Sequence, residues 1–232
     1  MRLAGAIFDL DGTLVDTLPA CYAAFRAACA GVGGPHYTDA EIRPLFGPSE
    51  EGMVQRALPE RWPEALAILL EEYHRQLAHC GGVFPAVAAS LGRLRASGVP
   101  LALVTGKGPQ TTAMSLRHFG LEDVFATVET GSPNGIVKAA AIQCIVTAWA
   151  VAPDTVIYVG DAVGDMHASA EAGVRPVAAA WAPSAIASEL AATAPHVLFE
   201  TAEAFDAWLA GLLSPGAPSP ARRRSGGSTP AR

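Results

Sequence analysis

The apolar pattern of the chain changes character twice. Residues 3–8 form a short apolar run that stops at Asp9, Leu10, Asp11, Gly12 and Thr13, the signature of a buried strand feeding a turn. From residue 16 to about residue 80 the apolar positions recur at helical spacing, as Cys21, Phe25 and Cys29 do, and again Leu66, Leu69, Leu70 and Tyr73. Breaks at 31–35 and 59–63, rich in Gly and Pro, divide this stretch, which reads as a helical insertion. Beyond Phe84 strands and helices alternate. The pattern predicts helix 86–97, strand 100–105, helix 109–119, strand 124–128, helix 137–150, strand 155–159, helix 165–172 and strand 176–180.

Repeated strand–helix units imply a parallel sheet, and right-handed crossovers covering both its faces make a doubly wound α/β domain. Residues 1–15 and 84–213 are expected to build that domain, with 16–83 as the insertion after its first strand. The tail 214–232 is Pro-, Gly-, Ser- and Arg-rich with no apolar residues to bury, so disorder is expected there. Ligands of such a fold bind at the carboxyl ends of the strands.

Composition narrows the function. Half of the 232 residues are apolar and 16% are charged, which suits one compact domain carrying a modest insertion. The formal net charge is −6, and Arg222, Arg223, Arg224 and Arg232 all lie in the tail, so the body is more acidic still. That balance argues against nucleic acid as a partner. Cys21, Cys29, Cys80 and Cys144 show no metal-ligand spacing and no signal peptide precedes them, the pattern of reduced thiols in a cytoplasmic protein. No apolar run reaches membrane-spanning length.

The candidate chemistry falls where the fold class would put it. Asp9 and Asp11 follow the first predicted strand, Thr105 ends the second, and Asp161 and Asp165 follow the strand 155–159. Four carboxylates converging on one crevice would repel by roughly 4 kcal/mol for each pair 4 Å apart at an effective dielectric near 20. A divalent cation removes that cost. All-oxygen ligands without a His or Cys cluster favour Mg²⁺.

DLDGT at 9–13, LVTGK at 103–107, Lys138, and GDAVGD at 160–165 together resemble the haloacid dehalogenase superfamily of phosphatases. The resemblance extends to about Leu213, and the helical stretch resembles the small cap of its phosphoglycolate-phosphatase-like branch. It implies a Rossmann-like core and a Mg²⁺-dependent phosphatase acting on a small phosphorylated metabolite of the phosphoglycolate kind through an aspartyl-phosphate, in a monomer or homodimer. Asp9 would be the nucleophile and Asp11 the general acid and base. Asp9, Asp11 and Asp161 would meet the metal. Thr105, Gly106 and Lys138 would hold the phosphoryl group. Asp165 would hold a metal-bound water, orient Lys138, or simply cap its helix, while Thr105 has helix capping before Pro109 as its other reading.

The family places Pro after the motif lysine, where this chain has Ala139, so Lys107, the chain's other lysine, competes with Lys138 for the phosphate or else meets the cap side of the substrate. On the cap, Arg43 and Gly47 lie in the segment 42–49 expected to face the substrate, and Arg43 or Arg56 would meet a second anionic group or be solvated helix residues. Thr13 reads as a local hydrogen-bonder to the backbone. A phosphosugar mutase normally carries a cap histidine where this chain has 18–21, LPAC. A dehalogenase needs neither metal nor Asp11, and a non-enzymatic binding module would have lost one of the charged groups; here all are present.

Overall fold

The computed structural model describes residues 3–214. Its elements run β1 (Gly5–Phe8), α1 (Leu18–Gly31), α2 (Asp39–Ile42), α3 (Glu50–Ala57), α4 (Trp62–Leu77), α5 (Pro85–Ala96), β2 (Leu101–Val104), α6 (Pro109–His118), β3 (Thr127–Glu129), α7 (Lys138–Trp149), β4 (Val156–Gly160), α8 (Val163–Glu171), β5 (Arg175–Ala179), α9 (Ala187–Ala192), β6 (Val197–Phe199) and α10 (Ala202–Leu213). All six strands are parallel, in the order β3-β2-β1-β4-β5-β6.

Strands β1, β2 and β4 are buried along their whole length, which is why they read as unbroken apolar runs rather than alternating ones. Their side chains still alternate between faces. Phe8, Leu103 and Val159 join Phe205 and Leu209 of α10 on one face, while Ile7, Ala102 and Tyr158 meet Ile142 and Val146 of α7 on the other. Strand β1 pairs with β2 on one side and β4 on the other, Ile7 lying opposite both Ala102 and Tyr158. The chain therefore winds outward from β1 in both directions, and a crevice opens at the carboxyl ends where the direction reverses.

Helices α1 to α4 fall within the stretch 16–83 and have a hydrophobic cluster of their own. Phe25, Ile42, Leu69 and Tyr73 are buried in it, and Met114 and Phe119 reach it from α6 and the residue after it. The chain leaves the sheet through the turn after β1, where Gly12 adopts φ +71°, and returns beside its departure point: the Phe84 N–H donates to the Leu14 carbonyl at 3.0 Å. A left-handed Gly33, at φ +68°, follows the end of α1.

The strand expected at 124–128 sits later, at Thr127–Glu129. Phe125 is drawn into the core, and the Val124 N–H closes a turn onto the Leu121 carbonyl at 3.2 Å, so the pairing starts beyond them. The α9–β6–α10 end of the domain escaped the periodicity altogether. Strand β6 is three half-buried residues at the sheet edge, too short to show an alternation. Of the tail expected to be disordered, only Ser214 is within the described residues. Among those residues no helix is long and apolar enough to cross a membrane.

Candidate active site

The carboxyl ends of β1, β2 and β4 bring Asp9, Thr105 and Asp161 to one rim of a cavity of about 400 Å³ between the sheet and the helical insertion. Asp9 is held by its own strand register, its N–H donating to the Val159 carbonyl at 2.9 Å. Its Oδ2 lies 3.0 Å from the Lys138 ammonium, whereas Oδ1 is buried with no hydrogen-bond partner among the described residues. Burial pushes the Asp9 carboxyl up to about 7; Lys138 pulls the other way, and Asp165 and Asp11 add to the push.

Gly12 explains how Asp161 gets so near. A Cβ on Gly12 would lie 2.1 Å from Asp161 Oδ2, and the positive φ adds a second reason for glycine. Oxygens of Asp9, Asp161 and Asp165 all fall within 4.8 Å of one another. Burial, followed by the charges of Asp165 and Asp9, drives the Asp161 carboxyl well above its ordinary value. Three crowded carboxyls, two of them displaced toward the neutral form and one with an orphaned oxygen, fit a divalent cation bound through oxygen.

Asp165 is almost fully buried and its bonds are committed. Its Oδ1 accepts from Lys138 Nζ at 2.5 Å and from the Tyr158 hydroxyl at 3.2 Å, and its Oδ2 accepts from the Ala162 N–H at 3.1 Å. Capping α8 and orienting Lys138 are therefore one arrangement. Burial alone would lower the Lys138 ammonium, but Asp165 and Asp9 hold it well above the usual lysine range. Lys138 begins α7, and its Cε lies 3.9 Å from where a Cβ on Gly106 would be. Thr105 is buried and its hydroxyl accepts from the Lys107 N–H at 3.3 Å. Helix α6 starts at Pro109 with Gly108 at its cap, so capping is not the role of Thr105.

The second half of the site faces the insertion. The Asp11 carboxylate accepts from the Thr17 hydroxyl and lies 3.5 Å from Lys107 Nζ; expected to meet the metal together with Asp9 and Asp161, it is not one of the three carboxylates, Asp9, Asp161 and Asp165, whose oxygens gather here. Lys107 is buried, 3.3 Å from Glu50 Oε1 and 3.3 Å from Cys21 Sγ, with its ammonium 4.1 Å above the centre of the Tyr73 ring. Glu50, the first residue of α3, also accepts from the Thr111 hydroxyl at 2.8 Å and from the Gly108 N–H, binding the insertion to the start of α6. Arg43 stands at the cavity mouth 3.3 Å from Glu189, and Gly47, at φ +140°, lines the same mouth. Arg56 is exposed and outside the lining.

Glu50, Tyr73, Thr17 and Tyr158 were missed from sequence. An acidic residue in the first turn of a helix has a sufficient local reason to be there, and a tyrosine at helical spacing reads as core. Thr13, read as bonding the local backbone, instead buries its hydroxyl with no hydrogen-bond partner among the described residues.

Residues 6–179 match the family model of haloacid dehalogenase-like hydrolases. A phosphoglycolate phosphatase of Synechococcus elongatus is 33% identical over 198 residues, 84% of this chain and 92% of that protein. A protein of Mycobacterium tuberculosis named tyrosine-protein kinase PtkA is 30% identical over 75% of this chain and 61% of its own length. Among solved structures, one described as a predicted phosphoglycolate phosphatase from Haemophilus somnus superposes with a TM-score of 0.76 at 22% identity, covering 88% of this chain and 97% of that one.

Proposed function

The chain belongs to the haloacid dehalogenase-like hydrolases, in their phosphoglycolate-phosphatase-like branch, and on that premise we propose that it is a Mg²⁺-dependent phosphatase that hydrolyses a small phosphate monoester through an aspartyl-phosphate on Asp9. The observation that carries this reading is the state of Asp9. One oxygen lies 3.0 Å from Lys138, the other is buried with no hydrogen-bond partner among the described residues, and the carboxylate belongs to the cluster with Asp161 and Asp165.

In the first half-reaction an Asp9 oxygen forms a bond to phosphorus as the bond from phosphorus to the alcohol oxygen breaks, and Asp11 gives its proton to that departing oxygen. In the second, Asp11 takes a proton from a water whose oxygen bonds to phosphorus, and the Asp9–phosphorus bond breaks to release phosphate. What supports Asp11 in this role is that its carboxylate lines the cavity and is oriented by the Thr17 hydroxyl and Lys107. The Thr105 hydroxyl and Gly106 N–H orient the phosphoryl oxygens, and Lys138 meets the charge that spreads over them. Mg²⁺ held by Asp9 and Asp161 would keep Asp9 ionised and neutralise the phosphoryl oxygens. Asp165 acts through Lys138.

Phosphate release from methyl phosphate and phosphoglycolate, with and without Mg²⁺, tests the reading against an Asp9→Asn chain. Metal-dependent release that the substitution abolishes is expected. Release that survives in Asp9→Asn would end it.

A further inference from the structure

We infer that the alcohol half of the substrate is uncharged and largely apolar, which rests on the phosphatase reading above and deepens it. A cavity of about 400 Å³ has room for much more than a phosphoryl group, so the rest of its lining chooses the alcohol. Two independent features of that lining agree.

The first is charge. Six acidic side chains, Asp9, Asp11, Glu50, Asp161, Asp165 and Glu189, line the cavity against three basic ones, Lys107, Lys138 and Arg43. Every basic group already faces a carboxylate: Lys138 has Asp9 and Asp165, Lys107 has Asp11 and Glu50, and Arg43 has Glu189 at 3.3 Å. A single divalent cation does not reverse that balance once the phosphoryl group has arrived. A carboxylate or second phosphate on the alcohol would be desolvated into a net negative chamber with no cation left to itself.

The second is where apolar surface is exposed. The large hydrophobic residues left exposed among those described are Phe46, Ile136 and Val137, at 39, 70 and 38%, and all three line this one cavity. Scattered exposed hydrophobics would mean little; their collection at one mouth marks a binding surface. The mouth is also built. Ser49 N–H donates to the Ser132 carbonyl at 2.9 Å, and a Cβ on Gly47 would come within 3.6 Å of Ile136, so the loop before α3 and the loop before α7 form one rim. Tyr22, packed edge to face on Phe46 at 5.8 Å between ring centres, continues it inward.

The test is phosphate release by the full chain with Mg²⁺ from methyl phosphate, phosphoglycolate, benzyl phosphate and hexyl phosphate. All four release an alkanol rather than a phenol, so the comparison reads binding of the alcohol rather than its acidity. For benzyl or hexyl phosphate kcat/KM is expected to exceed that for phosphoglycolate by at least about tenfold, and Ile136→Ser combined with Val137→Ser is expected to cut the benzyl-to-methyl ratio by about tenfold. The exposure of both side chains keeps that variant folded. Glu189→Gln, which frees Arg43, is expected to raise phosphoglycolate relative to benzyl phosphate severalfold. Phosphoglycolate turned over as well as benzyl phosphate overturns the inference while leaving the phosphatase standing, as does a benzyl-to-methyl ratio indifferent to the serine pair. No release from any of the four, methyl phosphate included, overturns the phosphatase reading itself.

Discussion

Lys138 and Lys107 are the two lysines of the chain, the first half-buried and the second buried, both with an ammonium set between two carboxylates, but their partners come from different parts of the molecule. Asp9, in the turn after β1, and Asp165, in the first turn of α8 after β4, flank Lys138, so that centre belongs entirely to the carboxyl ends of the sheet strands. Lys107 lies between Asp11 of the sheet and Glu50 of the insertion, and rests on Tyr73 of α4. Its charge joins two bodies of structure. Similar local electrostatics thus occur in two settings, one beside Asp9, the nucleophile we propose, and one at the seam between the insertion and α6.

Substitutions separate the two. Asp9→Asn is expected to lower phosphate release by on the order of 10³-fold or more, since the proposed mechanism makes Asp9 the nucleophile. Lys138→Ala should cost about 10²- to 10³-fold in kcat, the scale of losing one charge aimed at the transition state. For Lys107→Ala the expected loss is nearer tenfold, and equal losses at both lysines would erase the distinction drawn here. Glu50→Gln removes the charge that crosses the seam. We expect it to change kcat only a few fold while quickening hydrogen exchange at the amides of Gly108 and residues 110–112, which an intact seam would protect.

The smallest effect is on stability. Folded Asp9 keeps its proton up to a pH of about 7, whereas in an unfolded chain it would lose it near 3.8, so unfolding releases a proton in between. In EDTA the melting temperature should therefore fall as pH rises from about 4 to about 7, with Asp161 pushing in the same direction. Asp9→Asn should flatten that fall, and Mg²⁺ should cancel it near neutrality by binding the ionised carboxylates. A melting temperature that rises over this range would show that burial does not govern Asp9.

The centre at the strand ends was largely legible in the sequence and the seam was not. Asp9, Asp161 and Thr105 are read from short runs that end buried strands, and a strand end is a local signal that the fold then brings to one crevice. Lys138 was named from the sequence in competition with Lys107, because Ala139 departs from the family pattern; the structure sets it 3.0 Å from Asp9. Glu50 and Lys107 are joined by the packing of the insertion on α6 across a long stretch of chain, and no periodicity carries that information. Asp11 shows the opposite limit: its motif is plain in the sequence, but which neighbours its carboxylate faces depends on a side-chain rotation that the motif does not encode.

The hydrogen bond from Phe84 to Leu14 means that the insertion begins and ends at one address on the sheet. Closing a longer excursion from such a point costs only about 0.6 kcal/mol for each doubling of its length. Strands β1 and β2 can therefore keep their register while the residues between them are lengthened, shortened or exchanged. A lineage that carries this frame is free to experiment with what it accepts while inheriting, intact, the way it breaks the bond.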